Sequence, residues 1–398
     1  VSAGTRHREQ AAGPAKRLDS LWMYALLALV ATAGFFYVNL MAAIVDGLVT
    51  GLAFSNAQAG MVGAANTYGA TAGALIAVFL VGRLRWKPAV VVLLAAMIGI
   101  DLLSTLVHAP WLMIALRGLD GLLGGMATGL IYAVMARTAS PDRAFGMLLA
   151  VQFGLGGLGM MLLPPLVPAL GAKILFLSLA GVSCLALLAI LAIPRIETGK
   201  GAGSIAYQPI GTRKRLTVSL VMLGLFLFQA ANMALLAFII GLGEHAGLSR
   251  AFIGQALGWA TWVAILGALL VVFMGERFGR FQPLWIAFVL TLVGTVGFYG
   301  SASGAIYFIA NVGTGITWSF VVPYLFGMAS SIDASGRLTS LAGFISHLGL
   351  ASGPLAAGLV LGSGQFHFLI TAALAVLAAS AAATLLAARR IDSPEHAR

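Results

Sequence analysis

Four ionisable side chains stand inside long stretches that carry almost no other charge: Asp101, Arg117, Asp120 and His347. A charged side chain costs roughly 2.5 to 3.5 kcal/mol at the centre of a membrane-inserted helix, so these groups are expected to face a protein interior or a wet cavity and to find partners there. Arg117 and Asp120 are three residues apart, which places them on one helical face and lets them pair. Two chemistries are open to this set. Arg117 can hold an anion or act as a gating cation while Asp101 or Asp120 carries a proton, or the groups form a permanent ion pair that only ties helices together. His347 interrupts a run of small and apolar residues, and its titration range suits proton coupling; the other reading is a neutral histidine satisfied within the core. Asp46, at the far end of the first apolar run, reads as a solvated loop residue.

Other site chemistries lack the residues they need. Cys184 is the only cysteine, which excludes a disulfide framework and any CxxC site; it reads as small core filler. No His, Cys, Asp or Glu pair has metal-ligand spacing, so neither a metal nor a cofactor is expected. There is no GxxxxGK[ST] loop and hence no nucleotide-driven motor. A membrane-embedded enzyme would need a nucleophile with its base, and neither His347 nor Cys184 has an evident partner, so the chain is not read as an enzyme. A sensor would need an output domain that the sequence does not offer.

The elements that must position these residues are membrane spans. Of 398 residues 60% are apolar and 9% charged, with a mean hydropathy of +1.00, whereas soluble domains are about 25% charged. Charge-free runs at Leu21 to Val45, Ala144 to Ala172, Leu216 to Gly243 and Ala251 to Gly275 are each long enough to cross a bilayer. Ser55 to Val81, Ala89 to Val107, Trp111 to Ala136 and Ile174 to Ile193 add four more spans. Phe281 to Ile332 and Leu338 to Leu386 each fold back once, at the Gly300 to Gly304 and Gly362 to Gly364 turns. Twelve spans result. With the amino terminus inside, twenty of the 23 Lys and Arg residues fall on the cytoplasmic side, as positive-inside topology demands. The formal charge of +11 is therefore topology, and no nucleic acid partner is implied. The first 20 residues, polar and without a cleavage site before the first run, read as a cytoplasmic tail.

Sliding the chain against itself by 194 residues aligns Ser55 with Ser249, Gly60 with Gly254, Gly73-Ala74-Leu75 with Gly267-Ala268-Leu269, Arg83 with Arg277 and Gly121 with Gly315. The spacing predicts an all-α membrane protein of two pseudo-symmetric six-helix bundles. They span residues 21–193 and 216–388, with a cytoplasmic linker over 194–215 and a cytoplasmic tail over 389–398. Parallel halves about an axis along the membrane normal are one repeat plan of secondary transporters.

On these features the chain resembles the major facilitator superfamily. That family's loop motif between the second and third spans is reduced here to Gly82-Arg83-Leu84-Arg85-Trp86-Lys87, with Gly82 in place of the acidic residue. Its second copy is better kept, as Gly275-Glu276-Arg277-Phe278-Gly279-Arg280, and the RxxxG motif stands as Arg117 to Gly121. The proline of the drug-antiporter motif is missing from Gly154 to Gly159. The resemblance implies gating roles for Arg83, Glu276, Arg277 and Arg280, and a central cavity lined by the first, fourth, seventh and tenth spans. The polar and aromatic residues of those spans are Tyr37, Asn39, Arg117, Tyr132, Gln229, Asn232, Asn311 and Trp318. They are expected to point inward and to include the substrate contacts, because an unpaired amide facing lipid is costly. The expected substrate is a small organic anion or a polar aromatic compound, moved by alternating access with a proton as coupling ion, Asp101, Asp120 and His347 being the candidate carriers. Proton-driven multidrug efflux is the alternative. The expected setting is a bacterial inner membrane, with the lipid bilayer as partner and the protein a monomer.

Overall fold

The computed structural model describes residues 20–80, 83–138, 141–193, 212–274, 277–332, 337–362 and 365–392. Most of the linker, the amino-terminal tail, Gly82 and Glu276 lie outside the described residues. Among the described residues, eleven helices are long and apolar enough to cross a membrane. They are α2 (Asn56–Leu80), α3 (Trp86–Ser104), α4 (Pro110–Met135), α5 (Pro141–Leu170), α6 (Lys173–Ala192), α7 (Thr212–Ala237, continued by Ile239–His245), α8 (Arg250–Val263 and Ile265–Met274), α9 (Phe281–Gly297), α10 (Gly304–Ile332), α11 (Arg337–Leu361) and α12 (Phe366–Asp392). The twelfth crossing is α1, which is broken into Leu21–Ala33, Phe36–Asn39 and Met41–Leu52. No piece of α1 reaches spanning length by itself. The fold is all-α, with twelve crossings in two six-helix bundles, α1 to α6 and α7 to α12.

The internal repeat is visible in packing. Ser55 and Ser249 cap α2 and α8, their hydroxyls accepting from the amides of Gln58 and Phe252, as expected of N-cap serines. Gly73 meets the carbonyl of Leu122, and Gly267, 194 residues on, meets the carbonyl of Ile316, also 194 residues on. Gly121 abuts Asn66, while Gly315 abuts the matching Ala260. At Gly73, Gly121 and Gly267 helices approach backbone to backbone, and a methyl would overlap a carbonyl oxygen that cannot swing aside, while Gly315 sits at ordinary contact distance from Ala260.

The loop ends that carry Arg83, Arg85, Arg137, Arg277 and Arg389 define a basic end of the molecule. Toward the opposite end, one continuous core runs through both halves, joining Leu40, Met41, Ile44 and Leu48 of α1 to Ile239 and Ile240 of α7 and Ile253 of α8. Toward the basic end the core divides into two separate clusters, one within each half. Hydrogen bonds, ion pairs and aromatic contacts that cross between the halves follow the same division. They include Arg250 to Asp46, Trp262 to the Gly154 carbonyl, Tyr68 to Ser352, and Phe35 against His347. The halves are thus sealed at one end and parted at the other.

Asp46 is not the solvated residue expected from its sequence position. It is buried, and Arg250 at the start of α8 donates to it at 2.8 Å while also pairing with Glu244 of α7. Cys184 likewise departs from expectation: it is exposed on α6 instead of filling a core.

Candidate functional site

Between the halves lies a cavity of about 380 Å³, within the range of small-molecule sites. The break in α1 positions one wall. Gly34 lies so close to the Gly124 carbonyl and Thr128 hydroxyl of α4 that a methyl there would overlap both, and beyond it the backbone leaves helical geometry at Phe35 and again at Leu40. Non-helical backbone at membrane depth is tolerated where protein or a cavity surrounds it. The break turns Asn39 toward the cavity and Tyr37 away from it.

The cavity is lined from α1 by Val38, Asn39 and Ala42, from α5 by Leu149, Gln152, Phe153 and Met160, and from the other half by residues of α7, α8, α10 and α11. Of the eight residues proposed from sequence, Asn39, Gln229, Asn232, Asn311 and Trp318 line it. Arg117, Tyr37 and Tyr132 do not. Gln152 of α5 and Thr261 of α8 line it as well, from spans not expected to form walls, as do Thr314 and Ser319 of α10, a span that was expected to line it. No lining residue carries a charge. A network braces the wall of the second half: the Trp318 indole donates to Gln229 Oε1 at 2.6 Å, and Gln229 Nε2 donates to Ser346 Oγ at 2.6 Å.

Arg117 instead anchors a second site, wholly inside the first half. Its guanidinium is fully buried. It donates to Asp101 at 2.7 Å and to Ser104 at 2.6 Å, lies 3.4 Å from Asp120 Oδ2, and has its face over the Phe176 ring. Asn66 of α2 donates to both Asp120 and the Arg117 carbonyl at 3.2 Å. Two carboxyl groups therefore share one cation. The Tyr37 hydroxyl, Arg117 Nε and Asp120 Oδ1 are buried with no hydrogen-bond partner, beside an enclosed space of about 10 Å³ walled by Tyr37, Asn66, Asp101, Asp120 and Ser183. That is room for about one water molecule.

The remaining expected site residues are dispersed. Tyr132 packs edge-on against Phe145. His347 sits on α11 with Nδ1 2.8 Å from the Gly343 carbonyl and its ring edge-on to Phe35 of the other half. Arg83 and Arg277 are exposed at the basic end and Arg280 is half-buried there, while Glu276 falls outside the described residues.

Twelve crossings in two repeated bundles around a central cavity form the fold of major facilitator superfamily transporters. Solved structures agree. The nucleoside transporter NupG matches with a TM-score of 0.73 at 14% identity, covering 94% of this chain and 98% of that one. A bacterial homolog of the human lysosomal transporter Spinster, inward-facing and unoccupied, matches with a TM-score of 0.67 at 15% identity over 93% and 98%. A D-xylose-proton symporter matches with a TM-score of 0.67 at 15% identity over 94% and 98%. No family sequence model matches the chain, and no curated protein matches it by sequence.

Proposed function

We propose that this protein is a secondary transporter that moves a small polar organic solute across a membrane by alternating access. The observation that carries the reading is the cavity between two repeated halves, sealed at one end by a shared core and parted at the other. A solute bound there can leave on the far side only if the halves rock. With the basic end in the cytoplasm, as positive-inside topology requires, both termini are cytoplasmic and the described state is inward-facing. The setting is a bacterial inner membrane and the working unit a monomer.

Of the two substrate classes that the sequence admits, the polar aromatic one suits the cavity better, because Arg117 lies outside it and no lining residue supplies a cation. The solutes named for two of the similar structures, a nucleoside and D-xylose, are uncharged too. Coupling to protons is supported by the Arg117 cluster: two carboxyl groups against one guanidinium balance when a single proton is added, and an unbalanced charge at full burial costs several kcal/mol. Asp101 and Asp120 are the carriers in this reading, and His347, at the contact between the halves, responds to their rocking. Arg83, Glu276, Arg277 and Arg280 would close the basic end in the opposite state.

The reading is tested by reconstituting the purified protein in liposomes and following uptake of labelled nucleosides and pentoses with and without a pH gradient that is acid outside. Accumulation that collapses with a protonophore is the expected result. Equal accumulation with and without the gradient removes the proton coupling, and a lack of exchange of every solute bound by the purified protein removes the transport reading itself.

A further inference from the structure

The direction of the hydrogen bonds around the cavity restricts what it can hold. Each hydroxyl on its wall has one hydrogen to give, and each gives it to the protein: Thr261 to the Leu257 carbonyl at 2.8 Å, Thr314 to the Ala310 carbonyl at 2.8 Å, and Ser319 to the Ala264 carbonyl. The Trp318 N–H is taken by Gln229. Asn232 and Asn311 turn their amide nitrogens back to the carbonyls of Phe228 and Tyr307, both at 2.8 Å. Those contacts fix which end of each amide is nitrogen, because an oxygen placed there would face another oxygen. Among the described residues, the two Oδ1 atoms and the hydroxyl lone pairs have no protein donor, and no cation lines the wall. Each of these amide nitrogens keeps a second hydrogen, and Asn39 and Gln152 add further carboxamides to the wall, so what the cavity offers is uncharged amide groups and spare lone pairs, without a cation.

Resting on the reading of this cavity as the substrate site, we infer that it selects uncharged solutes that bring their own O–H and N–H donors on an otherwise apolar framework, and that it rejects organic anions. An anion entering this wall would exchange its water for uncharged amide groups, lone pairs and apolar surface, with no cation to offset the hydration it loses. A neutral polyol or a ring amide would instead satisfy the free acceptors, and Phe153, Leu236 and Trp318 would cover its flat faces.

The test measures binding by the purified full-length protein in detergent, through thermal shift and equilibrium binding, so that it does not depend on transport. The probes are uridine and D-xylose, the fully O-methylated derivative of each, and benzoate and uridine monophosphate as anions. At least one of the two neutral parents should bind. Its O-methylated derivative should bind about tenfold more weakly or worse, since each lost hydrogen bond is worth close to one power of ten. Neither anion should bind. Asn311→Leu and Thr314→Val should each weaken binding of the parent roughly five- to tenfold, with unchanged melting of the ligand-free protein certifying the fold. Binding of an anion, equal binding of parent and methylated forms, or binding of neither parent would overturn the inference. Binding as expected without flux in liposomes would leave it standing and remove the transport reading instead.

Discussion

Replacing Gly358 by alanine should pry open the sealed end. Gly358 of α11 faces α2, where an added Cβ would lie 2.5 Å from the Asn56 carbonyl oxygen and 3.2 Å from Ala57 Cα. Ordinary contact begins near 3.4 Å, so the helices must part by about 1 Å or strain. Both obstructing atoms belong to backbone and cannot rotate away. Overpacking of this kind costs about 1 to 3 kcal/mol, and the cost exists only where α2 and α11 touch. The gain in helix propensity from glycine to alanine, about 1 kcal/mol, is present in both states and cancels between them. The difference shifts the population toward the state open at this end by about 5- to 150-fold. Spin labels at Thr50 and Gln365, one on each half at the sealed end, would report the shift as a longer distance component. The single exposed cysteine, Cys184, is first changed to serine. Gly181→Ala, at a site with nothing within 4 Å, is the control and should leave the distances alone. An unchanged distance distribution in well-folded Gly358→Ala would refute close helix approach as what holds this end shut.

Three further outcomes follow from the charged groups. Arg117→Ala should lower thermal stability by about 3 to 5 kcal/mol, the usual cost of stranding buried charges, and adding Asp101→Asn and Asp120→Asn to the same chain should restore much of the loss; a single variant that melts like the parent would show that the cluster is hydrated. Asp120→Asn should retain solute exchange between equal pools but lose accumulation driven by a pH gradient, which a counterflow assay beside an uptake assay separates. Arg250→Ala breaks the pairs with Asp46 and Glu244 and leaves Asp46 buried without its cation, so the Thr50 to Gln365 distance should lengthen as it does for Gly358→Ala; label distances identical to the parent would mean that the apolar core alone closes this end.

The spans were legible because lipid demands long uncharged runs, and two helix boundaries lie at the glycine-rich turns that the sequence marks: α10 begins at Gly304 and α11 ends at Leu361. The break in α1 was not legible. Residues 33–40 contain no proline, and the interruption follows from a contact with α4 that only the folded bundle supplies. The same contact explains why Tyr37 and Asn39, two residues apart, serve different sites. Inward-pointing polar residues could be named from single helices, but a helix within a bundle has two interiors, one toward its own half and one toward the cavity. Asn232 and Asn311 face the cavity while Arg117 faces α3, a distinction set by packing and silent in the spacing. Gln152 and Thr261 carried an ordinary polar signal that would have marked them, had α5 and α8 been weighed as walls.

The internal repeat gives this division of labour a physical form. Shifting by 194 residues carries Arg117 onto Asn311, Asp120 onto Thr314, and Asp101 onto Thr295. The helices concerned, α4 and α10, approach their neighbours through matched glycines, so the two halves share a scaffold at these positions. One copy holds two carboxyl groups and a guanidinium away from the cavity; the other holds an amide and a hydroxyl on its wall. Charge stored at the wall would bind ions in place of a neutral solute, and charge stored in both halves would double the cost of burial. Placing it in one half keeps the cavity neutral and still leaves α1 touching both sites, with Tyr37 against the carboxyl cluster and Asn39 at the wall. The broken segment between Ala33 and Met41 thus touches both sites, and in the proposed mechanism it is a path by which protonation in one would be felt in the other. Coupling through it predicts that Tyr37→Phe, which removes a hydroxyl but no wall contact, leaves solute affinity unchanged while altering how uptake depends on pH. A pH profile identical to that of the parent would show that the two sites communicate by another route.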